Sequence, residues 1–203
     1  MATTKALIFD LCGVIVPLDY ERRYAMFEEL SPLAAEEIPQ RIEASGLVRG
    51  LDTGRLDPVS FARRMSEVLE IGDLSFEEFC RVWDSVFEPP ETLLPGEFLE
   101  SLRDRFRMVM LSNTNPIHFP YIEEHYPPVR HFDEYVLSYQ VGATKPSAEM
   151  YQEAVARAQR PAEECLFIDD LAGNVAAARR EGIPSVQFTS YDQLRDELAA
   201  LLP

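Results

Sequence analysis

The sequence predicts an α/β fold: a parallel sheet of five strands, helices between the strands, and a helical insertion after the first strand. Short apolar runs alternate with stretches of helical periodicity, the pattern of parallel strands joined by crossover helices. Several of those runs stop abruptly at a polar residue, as strands do where a sheet edge faces a ligand. The interval between the first two runs is also far longer than one crossover helix needs.

The strands are expected at Ala6–Asp10, Arg107–Ser112, Tyr135–Ser138, Leu166–Asp169 and Ser185–Phe188. After the first strand the chain carries several helix-start signals: Ser31 then Pro32, Asp57 then Pro58, and a capping box from Ser75 to Glu78. They place a helical domain at residues 17–87, closed by the loop "EPPETLLPG", and a core made of residues 1–16 and 88–203. The "GRLD" stretch around Arg55 reads as a turn between helices, and Trp83 and Phe87 as the insertion's own core. Tyr20, Arg22 and Arg23 lie on its first helix; they are within reach of a substrate, but a solvated helix face is the expected role. Further on, "KPSAEMYQEAVARA" has apolar residues at helical spacing. "NVAAARREG" ends in Arg179, Arg180 and Gly182, as a helix C-terminus should.

Composition narrows the functional classes. The 35 acidic against 19 basic side chains give a formal charge of −16, which repels nucleic acid and anionic membranes; neither is an expected partner. No apolar run reaches the roughly eighteen residues that span a bilayer. "MATTKALIFD" has no signal-peptide organisation, so the cytoplasm is the expected location. Cys12, Cys80 and Cys165 are widely spaced and odd in number, against disulfides and structural zinc; the last two fit as small core residues. His118, His125 and His131 lack metal-ligand spacing and read as loop packing, with His118 near enough to the second strand to contact a substrate.

In a parallel sheet, Asp10, Ser112, Asp169 and Asp170 come to one edge, and Lys145 begins the helix after the third strand. Carboxylates gathered beside too few cations repel one another unless a hard cation sits among them. Oxygen donors around a phosphate-sized gap suggest Mg²⁺.

Four motifs, "FDLCGV", "LSNTN", "KPSAEMY" and "FIDDLAGNV", are each short, but in this order and on these elements the chain resembles the haloacid dehalogenase-like (HAD) hydrolases along essentially its whole length. The resemblance implies a Rossmann-like core with a C1-type helical cap, and the spellings look most like bacterial sugar-phosphate phosphatases of the α-D-glucose-1-phosphate phosphatase type. It implies Mg²⁺-dependent hydrolysis of a small phosphorylated metabolite. Asp10 would be the nucleophile that forms an aspartyl-phosphate. Ser112 and the Asn113 backbone amide would hold the phosphoryl oxygens, and Lys145 would neutralise charge. Asp10, the Cys12 backbone carbonyl and Asp170 would ligate the metal, supported by Asp169 and Asn174.

Cys12 is the departure, because most phosphatases of the family carry an aspartate there that protonates the leaving oxygen. A thiol keeps the carbonyl but is a poor acid/base, and losing a positioned acid/base typically costs about 10²–10⁴-fold in rate. The penalty shrinks for leaving groups that are stable as anions. Two alternatives follow: a metal-independent 2-haloacid dehalogenase, which needs no such acid, and a catalytically weakened scaffold. The Asp169–Asp170 pair argues against the first, and the retained Asp10, Ser112, Lys145 and Asp170 against the second.

Overall fold

The computed structural model describes residues 3–199; the outermost residues of the core assignment, 1–2 and 200–203, lie outside them. The central sheet is parallel throughout, with β1 (Ala6–Phe9), β2 (Arg107–Ser112), β3 (Glu134–Leu137), β4 (Cys165–Asp169) and β5 (Ser185–Gln187) in the order β3-β2-β1-β4-β5. β1 is the middle strand, and its four residues are fully buried because both sheet faces are covered. The order changes direction at β1, the place where α/β sheets open a crevice at the carboxyl ends of their strands.

Between β1 and β2 lie α1 (Tyr20–Glu28), α2 (Glu37–Ser45), α3 (Leu47–Asp52), α4 (Pro58–Val68), α5 (Phe76–Asp84) and α6 (Gly96–Arg103). Local chemistry starts two of them as the sequence predicts. Asp57 accepts from the Ser60 amide ahead of Pro58, and Ser75 and Glu78 form a reciprocal capping box. Ser31 and Pro32 do not start a helix. The Ser31 hydroxyl donates to the Leu69 carbonyl and accepts from the Leu33 amide, which makes a turn, and α2 begins at Glu37.

α1–α5 bury a hydrophobic cluster of their own around Phe27, Phe61, Met65, Phe79 and Trp83. Trp83 belongs to it as expected. Phe87 does not: a 3-10 turn at Ser85–Phe87 carries the chain back, and Phe87 joins the cluster on one sheet face with Phe9 and Met110. The other face is covered by α9 (Ala148–Ala158) and α10 (Ala172–Arg180), through Tyr151, Ala154 and Ala178. The remaining helices are α7 (His118–His125), α8 (Ser138–Val141) and α11 (Tyr191–Ala199). No helix among the described residues is long and apolar enough to cross a membrane.

Candidate active site

Strand ends and the turns after them build the site. Asp10 follows β1 directly, held by its amide bond to the Ile168 carbonyl on β4 at 2.8 Å. Its Oδ1 accepts from the Leu11 amide at 2.6 Å and from Lys145 Nζ at 2.7 Å. No described donor reaches Oδ2. The Lys145 ammonium lies between two carboxylates, 2.7 Å from Asp10 Oδ1 and 2.7 Å from Asp169 Oδ2, with its side chain 1% exposed. Burial by itself would lower the Lys145 pKa; Asp10 and Asp169 overturn that and hold it above its ordinary value. Burial raises the Asp10 carboxyl above the usual range, with Lys145 opposing the rise.

The sequence places Asp169 and Asp170 side by side, and the structure gives them different surroundings. Asp169 is fully buried and its oxygens are well supplied: Lys145, the Leu171 amide at 2.9 Å, and Asn174 Nδ2 at 3.0 and 3.1 Å. Asp170 is partly exposed; Gln187 Nε2 donates to its backbone carbonyl at 2.9 Å, and no described side chain donates to its carboxylate, which is left open. Gly13 makes room for it. Gly13 has φ +83°, and a Cβ there would stand 2.5 Å from Asp170 Oδ2.

Asn113 also contributes its side chain to this edge. Its Oδ1 accepts from the Lys145 amide at 2.7 Å, and its Nδ2 donates to the Lys145 carbonyl at 3.0 Å. This pair of bonds ties the end of β2 to the residue whose ammonium must sit between the carboxylates. Ser112 is fully buried and its hydroxyl has no partner, an orphan that an oxyanion beside it would satisfy.

Oxygens of Asp10, Asp169 and Asp170 lie within 4.8 Å of one another. Three carboxylates against one ammonium leave an excess of negative charge, and the donors are all hard oxygens. A divalent oxygen-seeking cation fits that set. The Cys12 carbonyl, which no described donor engages, adds a further neutral oxygen.

Above these strand ends lies a cavity of about 640 Å³, lined by Cys12 and Asn113 from the sheet edge and by α1–α3 and Trp83 from the insertion. Arg23 contradicts its expected solvated role. It is 5% exposed, lines this cavity, and its guanidinium sits 4.4 Å over Trp83 and 4.9 Å over Tyr20. Arg22, in contrast, is exposed and pairs with Glu88 at 2.8 Å. His118 packs against Trp83 and Phe87, but at the start of α7 rather than in a loop, and it lines the cavity. Its Nδ1 accepts from Asn115 Nδ2, its Nε2 donates to the Trp83 carbonyl, and burial pushes its pKa down to about 3.

Two groups here escaped the sequence. Asn115, inside "LSNTN", fixes its Oδ1 with the amides of Ile117 and His118 at 3.1 and 3.0 Å, which aims its Nδ2 at Asp52 Oδ1, 3.0 Å away. Asp52 closes α3 and looks in sequence like any aspartate at a helix end. Its burial shows only when the insertion is packed on the sheet.

This fold and edge define the chain's class: it belongs to the haloacid dehalogenase-like hydrolases, whose family pattern matches residues 4–182. Among individual relatives, it is 26% identical over 204 residues, 98% of each chain, to the D-ribitol-5-phosphate phosphatase of Bacteroides thetaiotaomicron. A HAD family enzyme of that organism, solved with magnesium and inorganic phosphate, superposes with a TM-score of 0.81 at 25% identity, covering 92% of this chain and 95% of that one. A HAD-like hydrolase of Porphyromonas gingivalis gives 0.82 at 26% identity over 99% and 98% of the two chains.

Proposed function

We propose that the protein is a magnesium-dependent phosphatase of a small phosphorylated metabolite, a sugar or polyol phosphate, working through an aspartyl-phosphate on Asp10. The observation that carries this is the Lys145 ammonium held at 2.7 Å from both Asp10 and Asp169 beside an open Asp170 carboxylate. The relatives acting on ribitol 5-phosphate and binding magnesium with phosphate support the same reading.

In this reading Asp10, the Cys12 carbonyl and Asp170 would hold the metal, with Asp169 and Asn174 supporting the loop. Bound there, Mg²⁺ supplies positive charge that offsets the repulsion between a phosphate dianion and the acidic edge. Asp10 attacks phosphorus. Its Oδ1 accepts from Leu11 and Lys145, which fixes the plane of the carboxylate toward substrate. The Ser112 hydroxyl and the Asn113 amide donate to phosphoryl oxygens, and Lys145 opposes the charge that develops there. Residues 17–87 act as a cap: the cavity between them and the strand ends houses the rest of the metabolite and limits water. The acidic pair is what favours a phosphatase over a metal-free dehalogenase.

Hydrolysis of p-nitrophenyl phosphate tests the reading. It should require Mg²⁺ and vanish in Asp10→Asn; halide release from 2-haloacids without metal would contradict it.

A further inference from the structure

Resting on that reading, the site lacks one part, since the position after Leu11 offers a thiol where the leaving oxygen needs a proton. We propose that Asp52, delivered by the cap, is the acid/base of this enzyme in place of the side chain at position 12.

The placement is specific. Asp52 and Cys12 line the same cavity, together with Asn113 at the phosphoryl end. Asp52 is the last residue of α3, and the turn after it is pressed onto the core. Gly54 has φ +66°, and a Cβ there would fall 2.3 Å from the Tyr139 carbonyl oxygen at the start of α8. Asn115, its own orientation fixed by two backbone amides, donates to Asp52 Oδ1 at 3.0 Å. That leaves Oδ2 without a described donor and available to carry the proton.

The other groups lining the cavity serve poorly. His118 uses both ring nitrogens and stays neutral, far below its ordinary pKa. Burial raises the Tyr20 hydroxyl, and raises the Cys12 thiol further with Asp10 adding to it, so neither gives up a proton readily. The guanidiniums of Arg23 and Arg49 offer donors only and accept nothing, and Glu43 is exposed. Burial pushes Asp52 up to about 6, although Asn115 and Arg23 pull it down. A carboxyl poised there is half protonated near pH 6 and still about one-tenth protonated at pH 7, which suits a group that must give and take a proton in one cycle.

The protons balance. As an Asp10 carboxylate oxygen bonds to phosphorus and the ester P–O bond breaks, the Asp52 carboxyl proton passes to the leaving oxygen. Water then attacks phosphorus, the Asp52 carboxylate takes its proton, and the P–O bond to Asp10 breaks to release phosphate. Asn115 is a positioning residue in this scheme.

Asp52→Asn keeps size and the bond from Asn115, so it is the variant to compare with wild type on an alkyl ester (D-ribitol 5-phosphate) and an aryl ester (p-nitrophenyl phosphate), both with Mg²⁺. We expect kcat/KM on the alkyl ester to drop about 10²-fold or more, and at least tenfold further than on the aryl ester. Wild-type kcat/KM on the alkyl ester should decline as pH rises past about 6, and that limb should vanish in the variant on the same substrate. Adding Cys12→Asp to Asp52→Asn should restore the alkyl rate, which also guards against a folding defect. Equal slowing of both esters, or none, overturns the role of Asp52 and leaves the phosphatase standing. A wild type that turns over neither ester overturns both.

Discussion

Removing the Lys145 ammonium would leave Asp10 and Asp169 buried and facing each other without a counter-charge. Breaking one partner out of a buried, hydrogen-bonded ion pair costs about 3–5 kcal/mol. Lys145→Met should therefore lower stability by that order in urea unfolding and abolish turnover together. Cys12→Asp should speed alkyl esters far less in the wild type, where Asp52 already supplies the proton, than in Asp52→Asn, where no other donor remains; an equal gain in both backgrounds would count against Asp52 as the acid. Asp10, Asp169 and Asp170 were legible in the sequence because a polar residue ending an apolar strand has a fixed address on a parallel sheet. Lys145 was expected to begin the helix after the third strand, but that helix is α8, and Lys145 lies in the turn between α8 and α9, which begins at Ala148. Arg23 was not legible. On a helix, an arginine facing solvent and one covered by Trp83 and Tyr20 have the same local pattern, and only the packing of α5 against α1 separates them.

The strands fell within a residue of their expected ends because buried β-branched and aromatic runs bounded by polar residues leave little freedom of register. The Ser31–Pro32 signal failed because the Ser31 hydroxyl found a carbonyl far along the chain, at Leu69, which no local rule anticipates. Turns can be tested directly. Gly13→Ala places a side chain in the left-handed region and against the Asp170 carboxylate, so calorimetry should show weaker Mg²⁺ binding, with a smaller loss in thermal stability. At the end of α5, Asp84 has a buried Oδ1 without a partner, and burial, with Glu88 nearby, pushes its pKa up to about 8. A carboxyl raised in the folded state binds its proton more tightly there than when unfolded. Stability is then lost as pH climbs from its ordinary value of 3.8 through about 8. Asp84→Asn should raise the Tm near pH 9 and flatten its decline between pH 5 and 9 (a window of about that width follows from the shift); a Tm profile parallel to wild type would contradict this.

At the scale of the whole molecule, a chain of formal charge −16 acts on an anionic substrate. The long-range field opposes encounter, and the local cations Lys145 and Mg²⁺ overcome it only within the site. Screening should therefore help: kcat/KM for a phosphate ester should rise with ionic strength at constant free Mg²⁺, the reverse of a steered enzyme. A fall would mean that a local positive field guides the substrate in. A helical insertion could be read from the long interval after β1, whereas the placing of Asp52 beside Asn115 depends on how the insertion docks on the sheet. Acid-quench mass spectrometry during turnover tests the central claim most directly. With Mg²⁺ and p-nitrophenyl phosphate, one phosphate should be found on the peptide containing Asp10, and it should accumulate further in Asp52→Asn, where the water that releases it lacks a base. Turnover with no phosphate on Asp10, or with the phosphate on another residue, would contradict the account.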